Sequence, residues 1–197
     1  AFLSDDRSPE IVADKFGYLY ILYDDKTYRK LSGIDFTEIW SIQLTSVMMP
    51  SSHVVIDDKG YIYFIDTNYH IRKLSTIDGS EIWNTTINLS FGIHDIAVDN
   101  LGYVYVIDQR VHKLSTIDGS EIWCVSYVPS SYTYTNIAIS PDGDIYTTYD
   151  GSLSSGGSIW KLSRIDGSII WSVSWGYPSN IVVDQLGDIY VSCDYEL

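Results

Sequence analysis

The feature that most constrains this chain is an eleven-residue stretch that returns four times. Its clearest copy is Lys113-Leu114-Ser115-Thr116-Ile117-Asp118-Gly119-Ser120-Glu121-Ile122-Trp123. A second copy runs from Lys73 to Trp83, a looser one from Lys161 to Trp171, and a worn one from Lys30 to Trp40. The closing tryptophans are 43, 40 and 48 residues apart. Self-similarity at this interval means one supersecondary unit per repeat. Each unit is too small to bury its own apolar face and must stack on its neighbours.

A second motif alternates with the first: an apolar strand ending in Asp, two turn positions, Gly, then Tyr-x-Tyr. It appears at 12–20, 55–63 and 97–105, and in variant form at 138–146 and 182–190. This is the chemistry of a hairpin. Asp caps the turn with its short side chain, Gly supplies a positive φ, and the next strand resumes with alternating residues. That strand ends in Asp24, Asp66, Asp108, Asp150 and Asp194. The eleven-residue stretch continues the unit. Arg72-Lys73-Leu74-Ser75 reads as a third strand, Ile77-Asp78-Gly79-Ser80 as a turn, and Glu81-Ile82-Trp83 as the start of a fourth. No segment holds helical periodicity over three turns. The fold predicted is all-β, a β-propeller of four-stranded antiparallel blades. A single, incomplete propeller domain spans 1–197, with blades at 9–45, 52–89, 94–129 and 134–176 and half a blade at 179–197. The half blade leaves an open edge, which proteins avoid. The expectation is therefore a fragment of a larger propeller, or a chain completed by a partner.

Lys113–Trp123 resembles the tryptophan-docking motif of PQQ-type propellers, matching it at the glycine (Gly119) and the closing tryptophan (Trp123). The resemblance implies that Trp40, Trp83, Trp123 and Trp171 interlock adjacent blades, against turns bearing Gly79, Gly119 and Gly167. Phe36 replaces the glycine in the first copy. The stretch from Ile96 to Asp108 looks like an NHL-type repeat. Quinoprotein dehydrogenases of the PQQ type also carry a vicinal cysteine pair and calcium ligands. Cys124 and Cys193 are not adjacent, and no calcium-ligand cluster is visible, so no cofactor is expected.

The formal net charge of −14 and the absence of a basic patch exclude a nucleic-acid footprint and argue against anionic membranes. No apolar run is long enough to insert into a membrane as a helix. The chain begins at Ala1 with no visible leader, as expected of a processed chain or a piece of a longer one. The two cysteines lie in different repeats, so no disulfide is expected. Adjacent sequons at Asn84-Thr85-Thr86 and Asn88-Leu89-Ser90 point to an extracellular, cell-surface or virion location.

One position is polar in every repeat although it opens an apolar strand: Glu10, His53, Asp95, Asn136 and Asn180. In a propeller the first strand lines the central channel, so these residues are expected to ring its mouth and bind a polar ligand. His94 beside Asp95 invites an acid–base reading, but no nucleophile stands in a recognisable setting and no catalytic residue is assigned. His70 and His112 precede third strands and are expected to face solvent. Four histidines without close spacing do not suggest a zinc site, and no metal is expected. The Gly/Ser-rich insertion at 149–158, near Tyr132, Tyr134, Trp175 and Tyr177, reads as a mobile contact loop.

These features predict a non-catalytic binding or scaffold module within a larger assembly, with other protein chains as partners. The alternatives are a carbohydrate-binding propeller with glycan as partner and, less favoured, a fragment of a quinone-dependent dehydrogenase.

Overall fold

The computed structural model describes residues 9–23, 26–46, 54–88, 92–126, 134–149 and 156–193. Among these residues every regular element is a strand. Strands β1 (Glu10–Ala13), β2 (Leu19–Leu22), β3 (Thr27–Leu31) and β4 (Glu38–Gln43) form one antiparallel sheet in chain order. Strands β5 (Val55–Ile56), β6 (Tyr61–Ile65), β7 (Ile71–Ser75) and β8 (Glu81–Thr85) form the second. Strands β9 (Asp95–Val98), β10 (Val104–Ile107), β11 (Val111–Leu114) and β12 (Glu121–Val125) form the third. The fourth sheet comprises β13 (Tyr134–Ile139), β14 (Ile145–Tyr149), β15 (Ser158–Leu162) and β16 (Ile169–Ser174). Strands β17 (Pro178–Val183) and β18 (Ile189–Cys193) pair alone. The chain divides into two compact units, Ala1–Asn84 and Thr85–Leu197.

The first hairpin of each blade is set by one carboxylate. Asp99 Oδ1 accepts from the backbone N–H of Leu101 and of Tyr103, both at 2.9 Å, while Oδ2 accepts the Tyr105 hydroxyl at 3.1 Å. Asp14, Asp57 and Asp184 repeat the pattern with Tyr20, Tyr63 and Tyr190. The carboxylate thus fixes the turn and also anchors the aromatic ring two residues into the next strand. In the fourth blade Ser140 takes the aspartate position and its Oγ accepts from Asp144 N–H at 3.0 Å. The glycine that closes each turn has φ between +82° and +88° (Gly17, Gly60, Gly102, Gly143, Gly187), a region that costs other residues about 1–2 kcal/mol.

The second hairpin carries a recurrent bulge. The pairing of third with fourth strand shifts register between Lys30 and Leu31, Lys113 and Leu114, and Lys161 and Leu162. Beside the shift, Lys and Trp share a face: Lys113 pairs with Trp123 across the strands, and its Nζ lies 4.2 Å from the centre of the Tyr103 ring. Burial lowers the Lys113 pKa.

The core lies between sheets. In the first unit Tyr20, Leu22, Tyr28 and Leu44 pack with Ile62, Phe64 and Leu74 of the next blade. In the second, Tyr105, Ile107 and Val111 pack with Ile137, Ile145 and Leu162, and Tyr146 and Ile159 pack with Ile181. Fully burying one such side chain contributes about 1.5–3 kcal/mol. Blade-on-blade stacking therefore carries the stability.

Candidate functional site

Two of the expected interlocks are resolved atom by atom. A Cβ on Gly79 would stand 3.1 Å from Trp40 Cζ3 and 3.0 Å from Ile42 Cγ2. A Cβ on Gly167 would stand 3.0 Å from Trp123 Cζ3 and 2.9 Å from Val125 Cγ1. Each tryptophan thus lies against a turn where only glycine fits. The cation helps: Lys30 Nζ donates to the Thr76 carbonyl at 2.9 Å, and Lys113 Nζ donates to the Arg164 carbonyl at 2.6 Å. Trp83 is buried. Within each blade the tryptophan is posed on the strand-two tyrosine, with ring centres 6.2 Å apart for Trp40–Tyr20, 6.0 Å for Trp83–Tyr63, 6.1 Å for Trp123–Tyr105 and 6.0 Å for Trp171–Tyr146.

Trp171 has the same pose and is more exposed. It is 38% exposed, Val173 is 42% exposed and Trp175 54% exposed. Trp171 and Val173 stand where Trp123 and Val125 hold the Gly167 turn. Among the described residues the sheet after them, β17–β18, has two strands.

Of the polar positions that open the first strands, Glu10 lies at the start of β1 in the first unit, and His53 lies outside the described residues. In the second unit, Asp95 is buried and fully engaged. Its Oδ1 accepts from Ile96 N–H at 2.8 Å and its Oδ2 from Ile137 N–H at 3.1 Å, which ties β9 to β13 of the next blade. The Asn136 carbonyl accepts the Thr147 hydroxyl at 2.8 Å, and Asn180 is exposed, paired in register with Ser192. Asp24, Asp150, Asp194, Tyr132, the Tyr134 side chain, most of the Gly/Ser insertion (150–155) and Leu89-Ser90 of the second sequon lie outside the described residues.

The strand-two aspartates organise a second network at the far end of the blade. Asp66 is wholly buried and takes Arg72 Nε at 2.7 Å, Ser46 Oγ at 2.5 Å and the backbone N–H groups of Asn68 and His70. Burial raises its pKa, but these donors outweigh that and hold it below its ordinary value. Arg72 Nη1 lies 2.5 Å from Glu81 Oε2. In blade three the arginine is replaced by histidine. His112 Nε2 lies 3.1 Å from Asp108 Oδ1, and His112 Nδ1 lies 2.7 Å from Glu121 Oε2.

His112 is wholly buried, which corrects the solvent-facing expectation: the two carboxylates satisfy both ring nitrogens and so make burial tolerable. His70 is about one-third exposed, within 3.4 Å of Asp66. Cys124 sits opposite His112 across β11–β12. Donor atoms of His112, Glu121 and Cys124 all lie within 4.8 Å of one another. Burial raises the Cys124 pKa, while Arg110 nearby pulls it down. Both cysteines are free thiols. Sequence spacing missed this cluster because its members are 9 and 12 residues from His112 and meet only through the hairpin. The visible signal was that both residues flanking the eleven-residue stretch differ from those of the preceding copy.

No family profile matches the chain, and no curated protein matches it. Among solved structures it is similar to virginiamycin B lyase from Staphylococcus aureus, with a TM-score of 0.75 at 14% sequence identity over 95% of this chain. The match spans 64% of that chain's length. That lyase is a β-propeller, and the likeness, with the four-stranded antiparallel sheets, establishes this chain's fold as an all-β propeller. Since 1136 solved chains share the likeness, the fold alone names no activity.

Proposed function

We propose that this chain is a non-catalytic propeller module that acts by binding and scaffolding. Its seat at Trp171 and Val173 takes a further blade of the same PQQ-like kind, supplied by this polypeptide or by another chain. The observation that carries this reading is the contrast between Trp123 and Trp171. Both rings hold the same pose on a tyrosine, but among the described residues only Trp123 has a glycine turn against it. A lysine, Lys161, stands in the equivalent place and lies 2.6 Å from Asp144. An exposed tryptophan and valine, with Ile169 also exposed on the strand, make an apolar surface whose favoured occupant is a turn lacking a side chain.

Support for the non-catalytic part comes from the repeated polar residues. Asp14, Asp57, Asp99 and Asp184 hold turns, Lys30 and Lys113 hold carbonyls of the next blade, and Asp95 bonds two backbone amides. The location proposed is outside the cell or on a particle surface, where exposed Asn84 would be a glycan acceptor; intact mass of the natural protein tests this.

Sedimentation analysis of the wild type and a Trp171→Glu variant tests the seat. The wild type should associate reversibly, and the charge should abolish association without unfolding the chain. A wild type that stays monomeric at the highest attainable concentration contradicts supply of that blade by another copy of the chain. Turnover of virginiamycin B by the chain would contradict the non-catalytic reading.

A further inference from the structure

We infer that blade three carries a zinc(II) site formed by His112 Nδ1, Glu121 and Cys124 Sγ. The argument begins with the repeats. Residues 73–83 and 113–123 are identical at all eleven positions, so blades two and three share their turn, their glycine and their tryptophan. Both residues that flank this stretch differ. Arg72 and Asn84 in blade two become His112 and Cys124 in blade three. Blade one has Arg29 and Ser41 at these places. The earlier blades therefore carry a fixed cation and a neutral hydrogen-bonding group. Blade three replaces both together with the two side chains that bind zinc best.

The structure brings the pair to one point. In blade two the Arg72 guanidinium joins Asp66 to Glu81, and Asn84 donates to Glu81 Oε1. In blade one Arg29 Nη1 lies 3.0 Å from Glu38 Oε2, and Ser41 donates to Glu38 Oε1 at 2.8 Å. The glutamate is common to all three blades. In blade three it meets His112 and Cys124, and the three donor atoms lie within 4.8 Å of one another. Tetrahedral zinc with these ligands separates donors by about 3.5 Å, so Nδ1 and Glu121 Oε2, 2.7 Å apart, open slightly to admit the ion, and small side-chain rotations bring the set to that spacing.

The outer partner is also in place. Buried Asp108 lies 3.1 Å from His112 Nε2, which leaves Nδ1 directed at Glu121. A carboxylate behind a ligating histidine fixes its tautomer and raises its basicity. Arg110 Nη2 lies 3.6 Å from Asp108 Oδ2, the oxygen that His112 does not use.

Nitrogen, oxygen and sulfur donors in one set suit a borderline-soft ion, and zinc takes such mixtures with water as a fourth ligand. On binding, the Cys124 thiol proton goes to solvent, as does any proton held between Nδ1 and Oε2, and the ion takes its place between them. The thiolate and the Glu121 carboxylate then balance its two charges. The bound ion would clamp β11 to β12, the outer hairpin of the blade.

Cobalt(II) reports such a site through sulfur-to-metal charge-transfer absorption. A Cys193→Ser protein, in which Cys124 is the remaining thiol, should develop this absorption to one cobalt per chain, and zinc should displace it. The His112→Arg/Cys124→Asn variant installs the pair that blade two already accommodates. It should melt like the parent without metal and show neither the absorption nor a zinc-dependent rise in melting temperature. Absence of the absorption in the Cys193→Ser protein overturns the assignment. So does unchanged absorption in a His112→Arg single variant, which would mean that the thiol binds alone.

Discussion

Phe36 holds φ at +58°, where the corresponding Gly79, Gly119 and Gly167 hold +72° to +74°. The turn survives because Phe36 N–H still donates to the Ser32 carbonyl at 2.9 Å, and Asp35 accepts from Thr37. The left-handed conformation costs a side-chain-bearing residue about 1–2 kcal/mol, partly offset by the chain entropy a glycine would lose. Phe36→Gly is expected to stabilise the chain by about 0.5 kcal/mol in denaturant unfolding. Gly79→Ala should do the reverse, by about 2 kcal/mol, since the backbone would be strained and the new Cβ pressed on Trp40 and Ile42. Asp66 gives a pH-dependent case. Its folded pKa lies below the ordinary value, so its contribution is present above the ordinary aspartate range and is lost as pH falls through the folded value. Asp66→Asn should cost about 3 kcal/mol at neutral pH by leaving Arg72 short of a partner. That deficit should shrink when unfolding is repeated at acid pH.

At the scale of the element, the blade was legible because its determinants are local. An aspartate, a glycine and a tyrosine at fixed offsets specify the first hairpin, and the sheets are four-stranded and antiparallel as the sequence predicted. The buried position of His112 was not legible. Its neighbours, Asp108 and Glu121, are set by strand pairing, and a histidine before a strand looks the same in sequence whether it faces water or two carboxylates. Of the polar first-strand positions, Asp95 shows why residue type alone misleads: its carboxylate bonds two backbone amides that sequence cannot place. The interlocks allow a comparison between elements of one chain. Trp123→Ala removes a ring packed against Gly167 and should cost about 3 kcal/mol. Trp171→Ala should cost about 1 kcal/mol or less in the dilute chain, since that ring contacts only its own blade's tyrosine among the described aromatic pairs. Equal losses in paired melting experiments would contradict this difference.

At the scale of the molecule, stability is approximately a sum over blades and the contacts between successive blades. Each stacking surface in such an array gains when its neighbour is present, and an uncovered surface remains apolar. β16 is that surface here: its residues Ile169, Ile170, Trp171 and Val173 are exposed. The sequence predicted an unpaired edge on the half blade. It did not single out the face of blade four, because the exposed tryptophan matches its less exposed counterparts in local sequence. The most direct measurement is thermal unfolding of a chain in which a copy of residues 66–85, the second hairpin of blade two, is grafted after Ser192. This completes the last blade and brings a glycine turn to Trp171. The account predicts a rise in melting temperature of several degrees over the parent, lost again when the grafted glycine is replaced by a bulky residue. An unchanged melting temperature in the grafted chain would contradict the claim that Trp171 and Val173 form a seat for a further blade.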